Sequence, residues 1–218
     1  MHTPTLPPSA NSLPAPATPH LATLQALAVR DPAIAAALVQ VGPPPSRSKP
    51  LTFDNLCRVI VGQQLSVRAA ATIVGRLHAL PGGVQTPAAL RAQPIEALRS
   101  VGLSGQKARY MHALAEAVDS GTLDLAALPS LDDEAAIAQL TAVKGFGRWS
   151  AEMVLLFMLD RPDVWPVGDL GVRVGVGRLL GLAERPDVAT AQAAGESWRP
   201  HRSAVAMFCW HLNANAPV

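Results

Sequence analysis

Cysteine is nearly absent from this chain of 218 residues. Its two cysteines, Cys57 and Cys209, stand far apart, with no CxxC pair, no Cys/His cluster and no HxxxH spacing. That argues against a disulfide framework, structural zinc and iron–sulfur ligation. Both fall among apolar positions at helical spacing, where cysteine serves as a small buried hydrophobe. Long apolar runs are absent too. The longest near the middle, Met153 to Leu159, has seven residues, too few for a membrane-spanning helix. Residues 1–20 lack the basic start and apolar stretch of a signal peptide, so a soluble cytoplasmic protein is expected. Charged residues are 16% and hydrophobic residues 49%. A sizeable core can therefore be buried, and bulk disorder is excluded.

The net charge of +2 conceals a pattern. Residues 41–110 carry nine Lys/Arg against Asp54 and Glu96, net +7, whereas residues 111–143 carry six acids and no base, net −6. A basic segment beside an acidic one suggests an anionic partner for one face of the molecule, although solvated helix faces would give the same count.

Clear two-residue alternation is missing, and apolar residues recur at three and four. Six prolines among residues 1–20 predict a disordered tail. Leu21, Leu24, Leu27 and Ala28, then Ile34, Leu38 and Val41, predict a helix restarted at Asp31-Pro32. Thr52 is an expected N-cap for Phe53, Leu56, Cys57, Ile60 and Val61. Further helices are expected from Ala69 to Leu77, after Thr86-Pro87 and Gln93-Pro94, over 105–119, and at about 148–159, 169–180, 188–196 and 202–213. Ser130 with Asp133 resembles a capping box. The fold class is all-α.

The segment Val143-Lys144-Gly145-Phe146-Gly147-Arg148-Trp149-Ser150 is the most informative. A helix ends, two glycines flank one apolar residue, and a new helix starts at once. Backbone N–H groups at such a helix N-terminus bind a phosphate oxygen. Glycine would let a nucleic-acid backbone approach closely. Phe146 would tuck between the helices, and Arg148 and Lys144 would add charge.

These residues resemble the helix–hairpin–helix of base-excision DNA glycosylases. Pro166-Val167-Gly168-Asp169 looks like that superfamily's Gly/Pro-rich loop and aspartate. Val61-Gly62-Gln63-Gln64-Leu65-Ser66 resembles the Gln-rich loop of its alkyladenine branch, and Ser197-Trp198-Arg199-Pro200-His201-Arg202-Ser203 its Trp-Arg-Pro element. The four ordered motifs span about residues 21–213 and are most similar to the 3-methyladenine DNA glycosylase II family. Lys144 stands where the hairpin usually has proline. The Pro-rich residues 1–20 and the one or two helices after them are expected to leave no room for the N-terminal β domain of larger members.

The resemblance implies two helical subdomains with a cleft between them: 21–50 with 144–218, and 51–143, after a disordered tail at 1–20. It implies a monofunctional N-glycosyl hydrolase of base excision repair, monomeric and nucleoid-associated. Such an enzyme flips alkylated bases, of the 3-methyladenine and 7-methylguanine type, out of duplex DNA and leaves an abasic site. Asp169 becomes the expected catalytic carboxylate, although an ordinary helix N-cap reads the same way. As an anion facing the deoxyribose it would stabilise an oxocarbenium-like sugar and orient water. Trp149, Met153, Leu170 and Trp210 would wall the base pocket, a π face attracting an electron-poor methylated purine. Core packing is the other reading of Trp210 and Met153. The family usually has Tyr near Met153 and after Asp169, and this chain has neither, which implies a wider pocket.

Gln64 would fill the gap left by the flipped nucleotide, beside Gln63, unless the pair merely caps a helix. Ser66, Arg68, Lys144, Gly145, Phe146, Gly147 and Arg148 would contact DNA. Arg202 would bond near Asp169 or pair with an acid. The hairpin backbone at Val143 and Gly145 leaves room for a structural Na+ or K+; no zinc or iron–sulfur cluster is expected. Two alternatives stay open. A bifunctional glycosylase/lyase needs an amine nucleophile, and its branch has Lys where this chain has Trp149. Lys49, Lys107 and Lys144 do not match that position. A non-enzymatic DNA-binding module would have no use for Asp169.

Overall fold

A computed structural model describes residues 20–215; the expected disordered tail lies almost wholly outside them. The described residues form twelve α-helices and no strand. In chain order these are α1 (Leu21–Ala28), α2 (Pro32–Val41), α3 (Phe53–Gly62), α4 (Val67–His78), α5 (Pro87–Arg91), α6 (Ile95–Ser100), α7 (Gly105–Asp119), α8 (Asp133–Ala142), α9 (Arg148–Phe157), α10 (Leu170–Leu179), α11 (Val188–Glu196) and α12 (Arg202–Asn215). None is long and apolar enough to cross a membrane.

The starts follow local chemistry. Asp31 accepts from the backbone N–H groups of Ala33 and Ile34, and Pro32 supplies a preset φ at the first helical position. Thr52, Ser66, Thr86 and Ser104 each accept from the N–H three residues on. One expectation fails. Asp132, not Ser130, caps α8 through the Ala135 N–H. Ser130 lies in a 3₁₀ turn, where its hydroxyl donates to Ala127 O.

Two apolar cores form. The first gathers α3 to α9, from Phe53 to Val164. The second gathers α1, α2, α10, α11 and α12, with Trp165 and Trp198 packed edge to face at 5.4 Å. The packing thus divides the chain at Val164/Trp165, later than the 143/144 boundary read from sequence. The reason is α9: Ala151, Val154 and Leu155 are fully buried in the first core. Trp210 packs against both cores. Cys57 and Cys209 are buried free thiols, and burial pushes their pKa values up. A Cβ on Gly175 would stand 2.3 Å from Cys209 Cβ, so glycine lets α10 and α12 cross closely.

Candidate active site

Asp169 begins α10, and its carboxylate receives three donors. Oδ1 accepts from the Val172 N–H at 2.9 Å and from Trp210 Nε1 at 2.8 Å; Oδ2 accepts from Trp149 Nε1 at 2.9 Å. It is therefore both an N-cap and a carboxylate held between two indoles contributed by α9 and α12. An indole N–H only donates, so these contacts fix the carboxylate's orientation. The helix N-terminus behind it favours negative charge.

Asp169 opens onto a cavity of about 910 Å³ between the two cores. Trp149, Met153, Phe157 and Trp210 form its apolar wall, and Asp169 is the only acid lining it among the described residues. Phe157 stacks on Trp210 with ring centroids 5.7 Å apart and planes at 30°. The expected pocket residues Trp149, Met153 and Trp210 are thus brought together with Asp169. Leu170 is not: it is 54% exposed and off the lining, because its place in the first turn of α10 points it away.

Phe157 was not foreseen, being hidden in the seven-residue apolar run. Arg47 and Lys49 were missed as well. They line the cavity from the 42–52 segment that joins α2 to α3. The Lys49 N–H donates to Phe157 O at 2.7 Å and Ser48 Oγ to Asp160 Oδ2 at 2.9 Å, which pins that segment along the cavity rim. Its Pro/Ser composition carries no signal of this. Asn213, also on the lining, donates to Gly171 O at 2.7 Å.

The hairpin is a tight turn closed by the Phe146 N–H on Val143 O at 3.0 Å. Phe146 is buried in the first core, so it anchors the turn and does not reach a ligand. The two glycines differ in purpose. Gly145 has φ +99°, and a Cβ there would stand 2.2 Å from Tyr110 Cγ; it is required by the fold. Gly147 has φ −92°, open to any residue, and a Cβ would meet nothing within 4 Å. It leaves a bare, exposed helix N-terminus with no side-chain cap. Lys144 is exposed beside it. The carbonyls of Val143 and Gly145 already accept from Phe146 N and from Gln63 Nε2, so each offers a cation only its second lone pair.

Several expected DNA contacts are committed within the protein. Arg148 pairs with Glu134 at 2.7 Å and Glu152 at 3.2 Å. Arg202 is buried and pairs with Asp163 at 2.8 Å, not with Asp169; the structural alternative holds for it. Gln63 donates to Gly145 O at 2.8 Å and to Ser150 Oγ at 3.0 Å. Ser66 caps α4. Gln64 and Arg68 are exposed.

The HhH-GPD superfamily model of base excision DNA repair proteins matches residues 57–200. The chain is 34% identical over 171 residues to DNA-3-methyladenine glycosylase 1 of Schizosaccharomyces pombe, covering 76% of this chain and 75% of that protein. The fold superposes on the S. pombe 3-methyladenine DNA glycosylase in complex with abasic DNA with a TM-score of 0.83 at 31% identity, over 89% of this chain and 98% of that one. A DNA-3-methyladenine glycosidase of Bacillus halodurans gives a TM-score of 0.74 at 34% identity, over 89% and 88%.

Proposed function

The chain belongs to the HhH-GPD superfamily of base excision DNA repair proteins, and from that premise we propose that it is a monofunctional DNA glycosylase for alkylated bases. The observation that carries the reading is the carboxylate of Asp169 held by two indole N–H groups at the mouth of an apolar cavity. The hairpin N-terminus at Gly147 grips a phosphate of the duplex. The damaged nucleotide leaves the stack, at a cost of a few kcal/mol, and its base enters the space bounded by Trp149, Met153, Phe157 and Trp210. A cationic methylated purine is attracted to the indole faces and needs little acid help to leave. Asp169 faces the sugar, stabilises the developing positive charge at C1′ and orients the water that attacks it. The products are the free base and an intact abasic site.

Asp169→Asn tests the charge at nearly constant shape. Excision from methylated duplex is expected to fall by about 10²–10³ while duplex affinity is kept. Full single-turnover release of base by the variant would overturn the assignment. The same assay with borohydride tests monofunctionality. Lys49 is the lysine on the cavity lining, so a trapped protein–DNA adduct that is lost in Lys49→Met would identify a Schiff base and a lyase. No adduct is expected.

A further inference from the structure

Residues 62–65 form a type II turn. Gln63 has φ −54° and ψ 125°, Gln64 has φ +55°, and the Leu65 N–H donates to Gly62 O at 3.2 Å. The third position of such a turn belongs to glycine or asparagine. A glutamine there is strained, and persists only where its surroundings over-determine it. Gln64 and Asp160 are the only non-glycine residues with positive φ among those described.

The surroundings are specific. From α7, Lys107 Nζ donates to Val61 O at 2.8 Å and to Gln63 O at 2.6 Å, capping the carbonyl end of α3 immediately before the strained residue. The Gln63 side chain runs the other way. Both its amide hydrogens are used, one on Gly145 O in the hairpin and one on Ser150 Oγ, beside Trp149 in α9. The third support is again α7, one turn on, where the Tyr110 ring lies directly beneath Gly145. The turn bearing Gln64 and the turn bearing Gly147 are therefore joined twice, through Gln63 and through α7. Gln64 itself is exposed.

We propose that Gln63 and Lys107 are positioning residues that hold Gln64 in a fixed place relative to the hairpin, so that the phosphate grip and the probe of the duplex act in register. The assignment rests on the DNA glycosylase reading above. A probe that must enter the gap left by an extruded nucleotide gains from rigidity, because a misplacement of about 1 Å can cost on the order of 10²-fold in rate. The strain at Gln64 is kept because the conformation it enforces aims the side chain away from the protein.

Two measurements test this. Hydrogen exchange on the free protein reads the strut without DNA. In Gln63→Leu and Lys107→Met, exchange is expected to rise at Leu65 and in the hairpin, while α10 and α12 stay protected; Lys107→Arg, which retains the donors, should restore protection. Unchanged exchange at Leu65 would overturn the proposal whatever the protein does to DNA. The second measurement is a double-mutant cycle on binding to a duplex with a tetrahydrofuran abasic site, relative to intact duplex. Gln63→Leu and Gln64→Ala are each expected to reduce that preference by about tenfold, and the double variant should be no worse than Gln64→Ala, as for residues that act through one group. Additive losses would overturn the proposal. A wild type that shows no abasic preference and releases no base would instead defeat the glycosylase reading, leaving the exchange result to decide the strut.

Discussion

At the scale of single residues, the half-buried carboxylate of Asp169 and the buried one of Glu152 stand on successive helices with different partners. Asp169 has three N–H donors, whereas Glu152 on α9 is 8% exposed and is faced by a single cation, Arg148, which Glu134 shares. Burial pushes the Glu152 pKa up to about 7, against the pull of Arg148. The folded protein therefore keeps a proton there that the unfolded chain releases near its ordinary value of 4.5. The stability this group contributes is complete below that pH and is lost as pH rises to 7, at about 1.4 kcal/mol for each pH unit crossed between the two values. Glu152→Gln mimics the protonated form. It is expected to match wild type near pH 4.5 and to melt at higher temperature than wild type at pH 8. A variant whose melting temperature parallels wild type across that range would show that Glu152 ionises without cost. No local pattern points to this residue, since a glutamate in a helix is usually solvated; only the packing of α9 into the first core buries it.

At the scale of elements, the hairpin shows what a motif reveals and what it hides. The pattern Gly145-Phe146-Gly147 was legible, and so was the helix that follows, because glycine positions and apolar spacing are local. What each glycine faces was not legible. Close approach of DNA was expected to explain Gly145, yet Tyr110, from α7, already occupies that side. The consequence is a clean pair of variants. Gly145→Ala combines positive-φ strain with overlap on Tyr110, and is expected to destabilise the fold by about 2–3 kcal/mol. Gly147→Ala should change stability by less than about 1 kcal/mol and yet weaken binding to duplexes of any sequence, because phosphate contacts carry no base information. Thermal melting and duplex titration of the two variants check this. Equal duplex affinity of Gly147→Ala and wild type would remove the phosphate from the N-terminus of α9. Arg202 carries the same lesson. Its helix was read correctly, but its partner Asp163 stands 39 residues away in the chain, beyond the reach of any spacing argument.

At the scale of the whole molecule, the cavity is built where the two cores meet, from residues as distant as Lys49 and Asn213. Helix periodicity told which faces were apolar, and the motifs told where Asp169, Trp149, Met153 and Trp210 stood, so the apolar wall was legible except for Phe157. The rim came from the connection between the cores. The segment from Gly42 to Thr52 has to cross from the second core to the first, and it does so along the rim of the cavity, pinned by Lys49 N–H on Phe157 O and by Ser48 on Asp160. The net basic charge of residues 41–110 is in part internally consumed: Arg58 pairs with Asp54, Arg91 with Asp119, and Lys107 caps α3. Arg47 and Lys49 have no such side-chain partner among the described residues, and they face the same cavity as Asp169. A duplex whose flipped nucleotide enters that cavity brings its flanking phosphates against this rim. Each cation that neutralises one phosphate releases condensed counterion, worth a slope of about 0.9 in log affinity against log salt. The variant Arg47→Ser/Lys49→Ser is therefore expected to bind every duplex more weakly and to lose about 2 from that slope, with no change in which base is released. Titrations at several salt concentrations measure it. An unchanged slope would mean that the rim stays clear of the phosphates and that the hairpin alone carries the duplex.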